Sequence, residues 1–323
     1  MTISSPPRLA TVYGGSGFIG RYVVRQLIER GYRVRVACRR PELAQHLQPL
    51  GSVGQVLPVQ ANLRYRDSVD RAAEGADAVV NLVGLLAESG RQTFDALQAR
   101  GAGWVAEAAR ANGATMVQMS AIGANANSAA DYARTKAGGE DAVRAAVPDA
   151  IVLRPSIVFG PEDDFFNRFA AMARIAPALP LIGGGRTRFQ PVYVGDVAEA
   201  AAKAAAGDLA AGSVWELGGP EVLTFRECME RMLAVIDRRR AFVPLPFKIA
   251  GLMGGIMQYL PGAPLTPGQV EMLRSDNVVS QTAIEAGRTL TDMGIVPTPL
   301  DDVLARYLVR FRRHGQFEGA RGL

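Results

Sequence analysis

A glycine-rich turn near the start of the chain has the spacing of a pyrophosphate-binding loop. The run 14–20, Gly-Gly-Ser-Gly-Phe-Ile-Gly, follows the apolar run 10–13 and precedes an amphipathic segment, 18–30. In such a turn the first glycine allows a sharp bend, the second keeps a side chain away from the phosphates, and the third allows close helix packing. Free N–H groups at the start of the helix then bind phosphate oxygens. The pattern predicts a dinucleotide site, with an ordinary glycine loop as the alternative; its predicted contacts are Gly14, Ser16, Gly17, Phe18, Ile19 and Gly20.

The strand after this turn ends in two arginines. In many dinucleotide-binding folds a carboxylate about 20 residues beyond the turn binds the ribose 2′-hydroxyl of NAD. Here the run 36–40 is Val-Ala-Cys-Arg-Arg and contains no acidic residue. Guanidinium groups hold phosphates by paired charge-assisted hydrogen bonds, so Arg39 and Arg40 favour NADP(H) over NAD(H). The alternative is that both arginines are solvated surface charges.

A tyrosine and a lysine stand four residues apart in the run Tyr132-Ala-Arg-Thr-Lys136. On a helix this spacing places both side chains on one face. Histidine chemistry and a metal site are both disfavoured, because the sequence has only two histidines, His46 and His314, and no zinc-ligand spacing. We therefore expect no bound metal.

Strand-like runs alternate with helical patterns over the first half of the chain. The predicted strands are 9–13, 33–37, 55–59, 78–83, 116–120 and 151–154, and the helical patterns between them are 18–30, 68–73, 94–112 and 132–146. This alternation predicts an α/β fold with a Rossmann-type, doubly wound parallel sheet. Ligands of such sheets gather at the carboxyl ends of the strands.

After residue 160 the alternation weakens, and glycine and proline become frequent. We interpret this part as a smaller C-terminal lobe interleaved with returning sheet elements. The predicted dinucleotide-binding domain comprises 1–158 plus about 189–218, and the predicted substrate- or partner-docking lobe comprises about 159–188 plus 219–323. A cleft between two such parts is the usual place for a second ligand.

The composition narrows the class of protein. The 323 residues are 48% hydrophobic, which suffices for a main domain with a smaller lobe. Cys38 and Cys228 are far apart in sequence and fit a reducing compartment better than a disulfide scaffold. Because the run 1–8 resembles neither a signal peptide nor a presequence, we expect a cytosolic chain, with a processed organellar protein as the alternative. A net charge of +5 allows attraction to anionic lipids or acidic proteins, and no nucleic-acid partner is expected.

Together with the glycine turn, the Tyr132 and Lys136 pair resembles the extended short-chain dehydrogenase/reductase superfamily, which includes NAD-dependent epimerases and dehydratases. In that superfamily the lysine lowers the pKa of the tyrosine and orients the ribose, and the phenol is a general acid or base. The resemblance also implies that Asp196 is a helix N-cap. The further cofactor contacts that it implies are Asn62, Leu63, Leu82, Val83, Gly84, Ser120, Pro155 and Ser156, together with Tyr132 and Lys136 themselves.

One position departs from the superfamily pattern. Active members have a serine or threonine two residues beyond the first serine at the end of the fifth strand, and that position here is Ile122. Ser120 aligns with the structural serine. Substitution by Ser120 or Ser128 for the catalytic hydroxyl is the alternative, although neither has the catalytic spacing. Loss of such a hydrogen-bond donor weakens stabilisation of a developing oxygen charge by about 3 kcal/mol. Whether the chain is an enzyme is therefore left open.

Over nearly its whole length the chain is similar to the nucleotide-binding accessory subunits of respiratory complex I. The runs that carry this resemblance are 133–140, 159–169 and 265–273. It implies tightly held NADPH used for structural or regulatory purposes, without established turnover. The implied partners are the hydrophilic-arm subunits near the quinone site. The implied location is the cytoplasmic face of a bacterial inner membrane, or the matrix side for a processed mitochondrial protein.

Two other functions stay open at this stage. The retained Tyr132 and Lys136 suit an active NADP-dependent oxidoreductase, epimerase or dehydratase. The other hypothesis is a redox sensor that changes partners with the redox state of its cofactor.

The segment 242–265 is strongly apolar, with Lys248 as its one charged residue. Its core, 249–260, is shorter than the roughly 20 residues that a membrane-spanning helix needs. We expect it to contact a membrane surface or partner subunits, with Arg238, Arg239 and Arg240 attracting anionic head groups. The alternative is that its apolar residues form a core stripe of the small lobe. The tail, 304–313, is interpreted as a surface-docking helix or a plain terminal helix.

Overall fold

The computed structural model describes residues 7–85, 88, 90, 92–258 and 265–313. Within these residues the strands are β1 (Leu9–Tyr13), β2 (Arg33–Cys38), β3 (Val56–Gln60), β4 (Ala78–Asn81), β5 (Thr115–Met119), β6 (Ile151–Pro155), β7 (Val158–Phe159), β8 (Ala178–Ile182), β9 (Arg188–Phe189), β10 (Val192–Tyr193), β11 (Val214–Leu217), β12 (Leu223–Thr224) and β13 (Ala241–Leu245).

The α-helices of the described residues alternate with these strands. They are α1 (Phe18–Glu29), α2 (Arg66–Ala73), α3 (Gly101–Ala111), α4 (Asp131–Ala146), α5 (Phe165–Ile175), α6 (Val194–Ala206), α7 (Phe225–Val235), α8 (Phe247–Met257), α9 (Pro267–Met272), α10 (Gln281–Glu285) and α11 (Leu300–Tyr307). A π-helical turn, Asp95–Arg100, leads directly into α3.

Seven strands form one parallel sheet in the order β11-β6-β5-β4-β1-β2-β3. The order reverses beside β1, as in doubly wound folds, so the predicted fold class is confirmed. Because neighbouring strands are parallel, their carboxyl ends lie along a single edge. The residues that follow β1 to β6 are therefore brought together at this edge, where the site was predicted.

Alternating side chains of the strands cover the two faces of the sheet. Val80 belongs to a buried cluster that includes α1 and α6, whereas Val79 belongs to a second cluster that includes α2, α3 and α4. In β5, Val117 likewise belongs to the first cluster and Met116 to the second. This period of two explains why the buried strands read as continuous apolar runs.

A third buried cluster lies among α5, α7 and α11. It is rich in phenylalanine rings, with centroids of Phe165 and Phe166 5.0 Å apart and those of Phe169 and Phe225 5.3 Å apart. Three two-stranded pairings, β7 with β10, β9 with β12 and β8 with β13, accompany it. The division into two domains at the predicted boundaries stays a prediction.

The prediction for Asp196 is wrong. Tyr193 is the N-cap of α6, and Asp196 lies inside the first turn of the helix. Its carboxylate accepts hydrogen bonds from the backbone N–H of Thr298 at 2.7 Å and from the Thr298 hydroxyl at 2.8 Å. The side chain therefore holds a distant segment of the chain, and burial raises its pKa.

Candidate functional site

The glycine turn has the geometry that its spacing predicts. Gly14 has a φ of +78°, which favours glycine. A Cβ on Gly20 would lie 2.3 Å from the carbonyl oxygen of Gly14, so a side chain there would collide with the turn. Gly17 is the N-cap of α1 and provides no side-chain cap. The first N–H groups of α1 are thus available to an anion.

Arg39 and Arg40 are exposed and follow the carboxyl end of β2. Because β2 lies beside β1, this position is next to the strand that leads into the glycine turn. The thiol of Cys38 contacts the Ser16 side chain, and burial raises the pKa of this thiol. Ser16 and the two arginines therefore lie in the same region of the sheet's carboxyl edge.

In the sheet, β3 lies beyond β2, whereas β4 lies on the other side of β1 from β2. Leu63 is buried, and Asn62 accepts hydrogen bonds at Oδ1 from the backbone N–H of Arg64 at 3.1 Å and from its Nε at 3.4 Å. Leu82 and Val83 are half-buried, and a Cβ on Gly14 would lie 3.3 Å from Val83 Cγ2. Leu82 and Val83 thus form a wall directly against the turn.

The side chain of Lys136 reaches this wall from α4. Its Nζ donates to the carbonyl oxygen of Met119 at 3.2 Å and would lie 3.2 Å from a Cβ on Gly84. Lys136 is only 6% exposed, and burial lowers its pKa to about 8, although Glu140 opposes the shift. The ammonium group is consequently placed at the carboxyl edge with little access to water.

Tyr132 lies one helical turn before Lys136 on α4, and the lysine Nζ is 5.9 Å from the centre of the tyrosine ring. The ring of Phe94 packs edge-on against it, with centroids 6.3 Å apart. Burial raises the pKa of Tyr132 to about 12. The resemblance implied a lowered pKa, and the difference arises because desolvation of the phenol is the dominant effect here. At neutral pH the phenol is protonated.

Ser120 and Ile122 follow β5. Ser120 is 3% exposed, and its hydroxyl oxygen has no hydrogen-bond partner among the described residues. Burying a hydroxyl group without a hydrogen-bond partner destabilises the fold, so such a group is usually bonded to another group. Ile122 is buried and donates its backbone N–H to the carbonyl oxygen of Pro155 at 3.0 Å. The hydroxyl of Ser128 accepts from the N–H of Ala130 at 3.2 Å.

Sequence reasoning missed Asn277, which joins three segments at this edge. Its Nδ2 donates to the carbonyl oxygen of Ile122 at 3.0 Å, and its Oδ1 accepts from the hydroxyl of Ser156 at 2.7 Å. The carbonyl oxygen of Asn277 also accepts from the N–H of Gln190 at 3.2 Å. No local pattern signals this role, because the partners are far away along the chain.

A buried ion-pair chain was also missed. Glu140, one turn beyond Lys136, is 3% exposed and accepts two hydrogen bonds from Arg154, at 2.8 and 2.6 Å. The other side of Arg154 faces Glu216 at 3.8 Å, and Glu216 accepts from the N–H of Ser280 at 2.7 Å. The paired arginine explains how α4 can bury a carboxylate.

Helix α8 exposes apolar side chains on the surface. Leu252 is 71% and Ile256 67% exposed, and Ile249 and Met253 are also exposed. The alternative of a core stripe is therefore wrong for these residues, since only Ala250 and Gly254 of α8 are buried. The part of the segment at 259–264 lies outside the described residues.

The basic residues near α8 differ in their contacts. Arg239 is exposed, whereas the Nε atoms of Arg238 and Arg240 donate to the backbone oxygens of Phe311 and Ala173 at 3.0 and 2.8 Å. The apolar residues of the tail are buried in the third cluster; they are Leu304, Tyr307, Leu308 and Phe311. This apolar face of the tail therefore packs against the protein itself and is not exposed to a partner.

The comparison with protein families agrees with the glycine turn, the parallel edge and the α4 pair. Residues 10–218 match the NAD dependent epimerase/dehydratase family. The chain belongs to this family. The range that matches the NAD dependent epimerase/dehydratase family includes every residue that we assigned to the cofactor.

Relatives with curated names extend the likeness over almost the whole chain. NADH dehydrogenase [ubiquinone] 1 alpha subcomplex subunit 9, mitochondrial, of Arabidopsis thaliana is 35% identical over 95% of this chain and 79% of its own length. The protein of the same name from Rattus norvegicus is 33% identical over 93% of this chain and 80% of its own. A ceramide reductase of Caulobacter vibrioides is 35% identical, but over 59% of this chain and 58% of its own length.

Solved structures of family folds are similar in shape. The NADPH-dependent quinone oxidoreductase QOR2 of Escherichia coli, complexed with NADPH, has a TM-score of 0.70 at 18% identity and covers 92% of this chain and 99% of its own. The UDP-glucose 4-epimerase of Thermus thermophilus, complexed with NAD, has a TM-score of 0.67 at 21% identity, covering 94% and 99%. Both confirm the fold alone.

Two further features of the described residues bear on the site. No group of three or more histidine, cysteine or acidic side chains in them is arranged to hold a metal ion. None of the helices in the described part is both long and apolar enough to cross a membrane.

Proposed function

We propose that this chain is an NADPH-binding accessory subunit of respiratory complex I that holds its cofactor for structural or regulatory purposes. The observation that carries the proposal is the likeness to subunit 9 of the mitochondrial enzyme over 95% of the chain, including the part beyond residue 218 that the family match does not reach. A likeness confined to the nucleotide-binding part would support only a shared cofactor. The C-terminal part is where partner contacts specific to such a subunit are expected.

The residues at the carboxyl edge suit a nicotinamide dinucleotide. The turn carries no side chain at Gly17 and offers the uncapped N-terminus of α1, and the buried Ser120 hydroxyl has no partner among the described residues. Gly14, Ser16, Gly17, Phe18, Ile19 and Gly20 would hold the pyrophosphate, and Arg39 and Arg40 the 2′-phosphate of NADPH. The rest of the cofactor would be contacted by Asn62, Leu63, Leu82, Val83, Gly84, Ser120, Tyr132, Lys136, Pro155 and Ser156. When bound, the cofactor supplies a hydride donor or acceptor.

The chain's own groups are poorly arranged for turnover. Ile122 offers no hydroxyl where active superfamily members carry a hydrogen-bond donor, and its backbone is held by Pro155 and Asn277. Tyr132, with its raised pKa, releases a proton less readily. These features favour a cofactor that stays bound and unreacted.

We assign the nucleotide-binding domain to 1–158 plus about 189–218, and a partner-docking lobe to about 159–188 plus 219–323. Helix α6 packs on the sheet and β11 extends it, which supports the return of the chain to the first domain. The proposed partners are hydrophilic-arm subunits near the quinone site. The proposed location is the cytoplasmic face of a bacterial inner membrane, or the matrix side in a mitochondrion.

Membrane-surface contact through 242–265 is part of this proposal. The exposed face of α8 has Leu252 and Ile256 among its apolar residues, with Lys248 and Arg239 exposed nearby in sequence. An apolar face with flanking cations suits an anionic lipid surface. We expect Leu252→Glu to abolish sedimentation of the protein with anionic phospholipid vesicles. Ile175→Glu, at a residue that is 89% exposed elsewhere, should leave it unchanged; equal losses would contradict the assignment.

A native gel tests the accessory role. Membranes of a strain that carries a tagged copy of the chain are solubilised in a mild detergent, and the gel is stained for NADH dehydrogenase activity and probed for the tag. Migration of the tag with the active high-mass band supports the proposal. Migration of the tag only as a small free protein contradicts it.

An active NADP-dependent oxidoreductase, epimerase or dehydratase is the second candidate, because Tyr132 and Lys136 are retained on one face of α4. Substrate-dependent NADPH oxidation, abolished by Tyr132→Phe, would establish it. Absence of turnover over sugars, steroids and quinones would remove it.

A further inference from the structure

The loop between β7 and α5 contacts two helices that are far apart in sequence. Residues 160–167 meet α1, which begins at the glycine turn, and α11, near the C-terminus. The loop contains three acidic residues in a row, Glu162, Asp163 and Asp164. The proposed function gives these residues no role.

On one side the loop is attached to the first two turns of α1. Arg21 NH1 pairs with Glu162 Oε1 at 2.9 Å, and the Tyr22 hydroxyl donates to Glu162 Oε2 at 3.1 Å. A Cβ on Gly160 would lie 3.3 Å from the ring of Phe18, so this ring lies against the loop backbone. Phe18 is the first residue of the helix whose N–H groups face the proposed pyrophosphate position.

On the other side the loop is attached to α5 and α11. Asp163 is 2% exposed and accepts from the N–H groups of Gly160 and Phe166 at 3.1 and 2.7 Å, and from the Tyr307 hydroxyl. Just beyond α11, Arg310 donates to Oδ1 of Asn167 in the first turn of α5 at 2.6 Å. A carboxylate is stable in a buried position only when such donors bind it. Displacement of the loop would therefore disturb the packing of α11.

We propose that this loop couples nucleotide occupancy of the turn to the stability of α11 and of the phenylalanine-rich cluster that α11 covers. Bound phosphate stabilises the first turn of α1, and that turn carries the groups that hold Gly160 and Glu162. When bound phosphate orders the start of α1, local opening of α11, at the other end of these contacts, should become less frequent. This inference rests on the proposed function and gives the cofactor a structural effect in the docking lobe.

Hydrogen exchange tests the coupling in the full-length protein. In wild type, saturating NADPH should slow amide exchange in 300–307 by about fivefold or more, the lower range of measured couplings between sites. In Glu162→Ala the same addition should slow it by less than about twofold. Glu29→Ala is the matched control, because its partners in the described part of the chain, Arg25 at 2.9 Å and Gln26 at 3.2 Å, both lie within α1.

NADPH affinity, measured by fluorescence titration, separates the possible failures. If wild type binds NADPH and protection stays confined to 14–24, the coupling is wrong and the cofactor assignment stands. If wild type binds no NADPH, both are wrong. Should Glu162→Ala bind too weakly to saturate, Tyr307→Phe breaks the far side of the loop; retained protection of 300–307 in that variant would contradict the coupling.

Discussion

The side-chain amide of Asn277 donates to the carbonyl oxygen of Ile122 at 3.0 Å. The superfamily pattern predicts that Ile122 stands where active members carry the catalytic hydroxyl, and Asn277 comes from a segment more than a hundred residues away. The same amide accepts from the hydroxyl of Ser156, one of the predicted cofactor contacts. A segment of the C-terminal half therefore fixes the two loops that follow β5 and β6.

Removing this amide should destabilise the fold. We expect Asn277→Ala to lower the free energy of unfolding by about 1 to 3 kcal/mol, because two polar groups lose their partner in a half-buried place. Asp276→Ala is the neighbouring control; it removes an ion pair with Arg188, whose two side chains are 36% and 59% exposed, and a hydrogen bond from the Arg188 N–H at 2.8 Å. Because Arg188 is exposed, water replaces the lost partner, and the loss should be smaller, about 1 kcal/mol or less. Urea denaturation measures both, and equal losses would refute the role of Asn277.

Gly17 and Gly20 should respond differently to alanine. A Cβ on Gly20 would lie 2.6 Å from two backbone atoms of Gly15, so Gly20→Ala should lower both stability and nucleotide binding. A Cβ on Gly17 meets only the Gly14 oxygen, at 3.2 Å. Gly17→Ala should therefore keep nearly normal thermal stability and still lose NADPH affinity. Normal NADPH affinity in Gly17→Ala would show that the phosphates do not approach this turn.

Cofactor choice should depend on Arg39 and Arg40. Each charge-assisted hydrogen bond contributes about 1.5 to 3 kcal/mol, so the double substitution to alanine, which removes at least one such bond, should weaken NADPH binding by at least about tenfold and leave NADH binding nearly unchanged. Arg33→Ala is the control, since Arg33 begins the same strand at the opposite edge of the sheet. Isothermal titration with both nucleotides measures the effect; equal loss for NADH and NADPH would exclude a 2′-phosphate contact.

Lys136 should make stability depend on pH. Its pKa is about 8 in the folded protein, against an ordinary lysine value of 10.5, so between these pH values the unfolded chain binds more protons and stability rises with pH. Below pH 8 the buried charge costs up to about 3 kcal/mol. Nucleotide-free Lys136→Met should be more stable than wild type at pH 7, with the difference shrinking toward pH 10.5. Lys248→Met, at an exposed lysine, controls for the loss of one positive charge. A flat difference for Lys136→Met would contradict the burial of its charge.

Local patterns predicted the elements that build the cofactor edge. The strand at Leu9–Tyr13 and the helix that starts at Phe18 match the structure because apolar alternation and glycine spacing are local signals. The links that close the site are not local. Asp196 holds Thr298, and Asn277 holds Ile122, across separations that no window of sequence reveals. The exposure of α8 was likewise not decided by its apolar pattern, which fits a core helix and a docking helix equally well.

Affinity purification from mildly solubilised native membranes tests whether the chain is a complex I subunit that holds NADPH. Mass spectrometry identifies the proteins that accompany the tagged chain and measures the released nucleotide per chain. We expect complex I subunits together with close to one NADPH per chain, retained through washing and lost in the Arg39 and Arg40 double alanine variant. Recovery of a free protein whose nucleotide exchanges readily would contradict the accessory role and favour an enzyme.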